Sequence, residues 1–168
     1  MMNNGLRRIQ RNGVRYSRLM IVKQEDSFMH AFKTARAIPA PPEKIFAAFS
    51  DPEKLARWWG PSGFTNTLKT FQFTPGGTWS FVMYGPDGRA YPNESAFLEI
   101  VPTEKVVIRH ISEPKFTLTV VIVGSIRGSV VHWIQEFENA EVAKNIAHIA
   151  EPANEQNLDR LTSAVCSS

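Results

Sequence analysis

His110, Glu99 and Gln135 are the residues of this chain whose types and positions could do chemistry. In the segment 105–112 a strand pattern puts Val106, Ile108 and His110 on one face, because side chains alternate with a period of two. An imidazole at the end of an apolar face can hydrogen-bond a ligand or move a proton, or bond a neighbouring strand and serve the fold. On the preceding strand Glu99 shares parity with Ser95 and Phe97, so the faces of Glu99 and His110 are expected to coincide. A carboxylate beside an imidazole would be an acid/base pair. A structural ion pair or an exposed Glu99 is the alternative. Gln135 shares the parity of Val131, Trp133 and Phe137 and is expected to point inward, with His132 and Ile134 outward. A buried amide needs partners, which either a ligand or the C-terminal helix could supply.

Other chemistries find no support. The chain has no Gly-x-Ser-x-Gly elbow, no phosphate loop and no cysteine pair. The four histidines, at 30, 110, 132 and 148, lack metal-ligand spacing, so neither a metal nor another cofactor is expected. The single cysteine, Cys166, cannot form an internal disulfide, which fits a reducing, cytoplasmic setting. The longest apolar run, near 116–124, is too short to span a bilayer, and the N-terminus lacks a secretory pattern. Residues 1–25 carry six basic side chains against Glu25 alone, so the pI near 9.2 belongs to this leader. Without helical periodicity or interleaved aromatics, residues 1–27 read as a disordered basic leader and not as a specific nucleic-acid arm. The remaining 28–168 suit one domain, as a monomer or homodimer.

The elements that must position these residues are legible. Three of the four tryptophans fall between Trp58 and Met83. Gly76-Gly77 makes a turn, and Trp79, Phe81 and Met83 follow on one strand face. With Phe97 and Trp133 they are the candidate walls of a cavity, which His110 and Gln135 would complete as ligand-orienting groups. A first strand is expected over 30–38 and a helix over 42–49 with Ile45, Phe46 and Phe49 as its stripe. A second short helix starts at Asp51-Pro52-Glu53, carries Leu55, Trp58 and Trp59, and stops at Gly60-Pro61. Strands are expected over 64–74, 77–84, 93–101, 105–112, 115–123 and 129–137, joined by tight links as an antiparallel meander. From Asn139 a long helix carries Val142, Ile146, Ile149, Ala153, Leu158, Leu161 and Val165, kinked at Pro152 or divided there into two. Asn154, Gln156 and Asn157 would repair the break at Pro152 or rim the cavity. The fold class is α+β, a curved antiparallel sheet in the order β-α-α-β6-α wrapped around the last helix.

That order resembles the helix-grip fold of the START-like (SRPBCC) superfamily. The motifs resemble its branch of homologues of the heat-shock protein 90 ATPase activator. They are Ala40-Pro41-Pro42-Glu43-Lys44-Ile45-Phe46, Asp51-Pro52-Glu53-Lys54-Leu55 with Trp58-Trp59-Gly60-Pro61, and Pro75-Gly76-Gly77-Thr78-Trp79-Ser80-Phe81. Tyr84-Gly85-Pro86-Asp87-Gly88, Glu99-Ile100-Val101-Pro102, Trp133-Ile134-Gln135-Glu136-Phe137 and the run Ala153 to Leu161 continue the series. The segment Gly124 to His132 departs from the family's usual Gly-x-Thr turn, which leaves that hairpin's register open. The resemblance implies a hydrophobic cavity more firmly than an activity. Three functions are expected to compete. One is a carrier of a small hydrophobic molecule, with no membrane span. Another is a co-chaperone-like module with a chaperone partner. The third is a cyclase- or dehydratase-like enzyme using His110 and Glu99.

Overall fold

The structure, a computed structural model, describes residues 30–167, so the basic leader lies outside the described residues. Its elements are β1 (Ala31–Ile38), α1 (Pro42–Ser50), α2 (Pro52–Trp58), β2 (Thr65–Phe71), β3 (Thr78–Tyr84), β4 (Ala90–Val101), β5 (Lys105–His110), β6 (Phe116–Ser125), β7 (Gly128–Phe137) and α3 (Ala140–Cys166). Strands β2 to β7 form the expected meander, and β1 pairs with β7, giving the antiparallel order β1-β7-β6-β5-β4-β3-β2. This is the α+β helix-grip architecture.

Local chemistry sets the boundaries. Pro42 opens α1, where its missing N–H costs nothing. Asp51 serves two helices at once: its N–H bonds Ala47 O to close α1, and its Oδ1 accepts from Glu53 N and Lys54 N to cap α2. Asn139 Oδ1 caps α3 by accepting from Glu141 N and Val142 N. α3 then continues through Pro152 as one helix of 27 residues, which removes the two-helix alternative. The β6–β7 hairpin turns at Ile126-Arg127 with Ser125 opposite Gly128. Gly128 has φ 140°, and a Cβ there would lie 2.3 Å from Ile38 O, so this position needs glycine.

The core lies on the concave sheet face. Val131 and Trp133 of β7, Leu118, Val120 and Ile122 of β6, and Val106 and Ile108 of β5 pack against α1, α2 and the C-terminal half of α3. That half contributes Leu158, Leu161 and Val165. Between Ala143 and Asn154 no residue of α3 is buried, and Ile149, expected in the stripe, is 62% exposed. The middle of the helix therefore stands away from the sheet.

Arg160 fixes that stance. Its Nη1 donates to Trp59 O, Gly60 O and Pro61 O, and its Nη2 to Arg57 O and Phe64 O, at 2.8–3.2 Å. From the same helix Asn157 Oδ1 accepts from Gly60 N (2.8 Å) and Gln156 Oε1 from Ser62 N (3.1 Å). At the other side Arg36 of β1 pairs with Glu155 and Asp159. Burial lowers the Arg160 pKa, yet the carbonyls supply partial charge in place of a carboxylate. Arg160→Leu should cost roughly 2 kcal/mol, as loss of hydrogen bonds to a charged group does. Arg160→Lys should recover less than half, because an ammonium cannot span both sets of carbonyls. Urea denaturation midpoints check both.

Candidate ligand cavity

Where α3 stands off, a cavity of about 680 Å³ opens between it, the sheet and the loop after α2. Of the expected wall and orienting residues, Phe81, Met83, His110, Trp133 and Gln135 line it. Trp79 and Phe97 do not: they are 0% and 1% exposed and belong to the core behind the wall. The reason is Trp59. At the end of α2 its ring packs edge-on over Trp79 (centroids 4.9 Å apart), and Trp59 becomes the wall instead. Trp79 and Phe97 then stack at 5.9 Å in a cluster with Phe71 and Phe73. Trp58 turns away, donating Nε1–H to Ala48 O within the core.

Glu99 is not beside His110. The β4–β5 register pairs Phe97 with Ile108 but Glu99 with Val107, so one residue, Leu98, is extra on β4. Such a bulge reverses the face of everything after it. Glu99 emerges on the outer face, exposed, 2.9 Å from Lys105 Nζ. The bulge has no glycine or other local signal, so alternation alone carried Glu99 to the wrong side.

His110 instead meets two groups. Nδ1 lies 2.9 Å from Pro114 O and Nε2 2.7 Å from Asn93 Oδ1, while the ring stacks on Phe116 at 4.6 Å. Asn93 Nδ2 donates to Tyr91 O (2.7 Å), which sets this amide orientation. An imidazolium satisfies both oxygens. A neutral ring keeps both contacts only if Asn93 turns and presents its NH₂ to Nε2. Ring and amide are thus coupled. Burial pushes the His110 pKa down, against the Pro114 carbonyl, which pushes it up. Asn93 was not singled out from the sequence, although it shares parity with Ser95 and Phe97. Its reach to His110 depends on β4 running past the end of β5, where Pro92 also sits without disturbing a partner strand.

At the opposite wall three side chains form a chain. Trp133 Nε1 donates to Asn154 Oδ1 (3.1 Å), and Asn154 Nδ2 donates to Gln135 Oε1 (2.9 Å). All three are at least nine-tenths buried. Asn154 therefore reaches across from α3 to β7, and Asn157 and Gln156 bind the loop after α2, so these amides join elements across the fold. By strand spacing, two strands across and two residues along, Gln135 and His110 lie on the order of 12 Å apart.

Other concavities of similar volume, about 640 Å³ between β1 and α3 and about 630 Å³ between the short helices and α3, lack this aromatic wall. Among the described residues no group of three metal-ligating side chains converges, and no helix is long and apolar enough to cross a membrane.

The family model described as Activator of Hsp90 ATPase homolog 1-like protein matches residues 39–165. The chain belongs to this family. Its fold recurs in a solution structure from Arthrobacter aurescens (22% identity, TM-score 0.78, covering 84% of this chain and 89% of that one). A Nitrosomonas europaea protein gives 16% identity and TM-score 0.76, covering 83% and 96%. An AHSA1-like protein of Aeromonas hydrophila gives 16%, 0.67, 82% and 92%. At these identities the likeness is one of fold. No curated protein matches the chain.

The lowered His110 pKa has a consequence for stability. Below the ordinary value of 6.5 the unfolded chain takes up this proton more readily than the folded one. The stabilisation is complete above that value and is lost as pH falls towards the folded pKa. Urea midpoints measured from pH 7.5 down to 5.0 should fall for the native protein and flatten in His110→Gln. Glu155, whose pKa its Thr34 and Arg36 partners lower, contributes its loss only below its ordinary 4.5.

Proposed function

We propose that this family member binds a small, largely apolar molecule in the cavity between sheet and α3. The observation that carries the reading is the composition of the wall. Trp59, Phe81, Met83, Phe116, Leu118 and Trp133 enclose about 680 Å³ with a few buried polar groups converging on it. Ligand sites have this form, mostly apolar with sparse polar groups that fix orientation. The volume suits a molecule of drug-like size.

Titration with the neutral probe N-phenyl-1-naphthylamine tests this, because Trp59 and Trp133 face the space and report its filling. A saturable change in tryptophan emission with one-site stoichiometry is expected. Leu118→Trp, which projects an indole into the cavity, should weaken binding on the order of tenfold. Trp79→Phe, behind the wall, should leave it nearly unchanged. Equal binding to both variants would place the probe elsewhere and sink the proposal.

The family's description favours a second reading, a co-chaperone-like contact with an Hsp90-class ATPase. It rests on analogy of family. An ATPase rate unchanged by saturating protein would remove it.

A further inference from the structure

The orientation of one buried amide is dictated, and it states what the ligand must offer. Trp133 Nε1 is a donor only, so the atom facing it on Asn154 is the oxygen. That turns Asn154 Nδ2 toward Gln135, whose facing atom must be Oε1. Gln135 Nε2 is what remains. It has no acceptor among the described residues, and it is not one of the sealed unpartnered atoms, which are His30 Nε2, Asn66 Oδ1 and Trp79 Nε1. Gln135 lines the cavity while 8% exposed, so its NH₂ opens onto that space.

We infer that the ligand is an apolar molecule carrying a neutral carbonyl, of ketone, aldehyde, ester or amide type, whose oxygen accepts from Gln135 Nε2. This rests on the cavity reading above. The open group on Gln135 is a donor, so the ligand group that meets Nε2 must accept. The acceptor is neutral because of the cavity's charges. Among the described residues no lysine or arginine lines it, and Glu113 does. A carboxylate brought in there would be desolvated without a cation and would share the space with a like charge. His110 does not offset this, since burial lowers its pKa and both its ring nitrogens are already engaged.

The test compares three probes of one shape on the full chain by isothermal titration calorimetry at pH 7.5: 2-acetylnaphthalene, 2-ethylnaphthalene and 2-naphthoate. The ketone should bind about five- to tenfold tighter than the hydrocarbon, the yield of one neutral hydrogen bond in a dry site. The carboxylate should bind weakest. Gln135→Met should erase the ketone's advantage while leaving the hydrocarbon within about twofold. Ketone and hydrocarbon binding alike to the native protein, or the carboxylate binding tightest, would overturn the inference and leave the cavity reading standing. No binding by any of the three would remove both. If a variant fails to fold by circular dichroism, the native probe series decides alone.

Discussion

The guanidinium of Arg160, held by five backbone carbonyls, is the constraint on which the rest of the structure depends. A helix that ends leaves carbonyls without partners, and α2 ends abruptly at Trp58 before a glycine–proline turn. Arg160 gathers those carbonyls, and Asn157 and Gln156 take two of the loop's N–H groups. The loop's donors and acceptors are therefore both met from one face of α3. This fastening does two things. It lays Trp59 across Trp79, sealing the core, and it fixes the C-terminal half of α3 against the sheet. With that end secured, the middle of the helix can remain off the sheet without closing the gap.

The fold was almost wholly legible in the sequence, because its signals are local. The Asp51-Pro52-Glu53 cap, the Asn139 cap and the alternation in β3, β5 and β7 each concern a few neighbouring residues, and the structure has them where expected. The site was legible in part. Gln135 and Trp133 stand inward because β7 is regular along its length. Glu99 does not stand with His110 because one unsignalled bulge resets parity. Trp79 and Phe97 share a face with Phe81, but whether a residue on that face meets the core or the cavity depends on what covers it. That is decided by Trp59, an element away in sequence and set by contacts with α3. Periodicity reports the face, not the cover.

The hydrogen-bonded chain at the Gln135 wall joins residues far apart in the sequence. From the sequence Asn154, just beyond Pro152, is expected to repair the break there or to rim the cavity. In the structure its side chain joins α3 to both Trp133 and Gln135, and burial makes each of those contacts costly to lose. A leucine in place of Gln135 would leave buried Asn154 Nδ2 without its acceptor. The retained amide leaves an open donor in an otherwise apolar wall, which is unfavourable in the empty cavity unless water occupies it.

That cost has a direction built into it. Amides alone could exchange their oxygen and nitrogen ends, and a network of them would accept a donor or an acceptor equally. The indole N–H cannot be reversed. By anchoring one end of the chain, Trp133 fixes Asn154, and Asn154 fixes Gln135, so the open end of the chain is a donor, Gln135 Nε2. At the other wall Tyr91 O holds the Asn93 amide and Pro114 O holds the ring, but the contact between Nε2 and Asn93 Oδ1 depends on the protonation of the ring. The two polar stations therefore differ in kind. One selects by a fixed hydrogen-bond sense, and the other can adjust. For the ligand proposed above, discrimination between molecules of similar shape would come mainly from the first, since a polar group that can turn either way penalises neither choice.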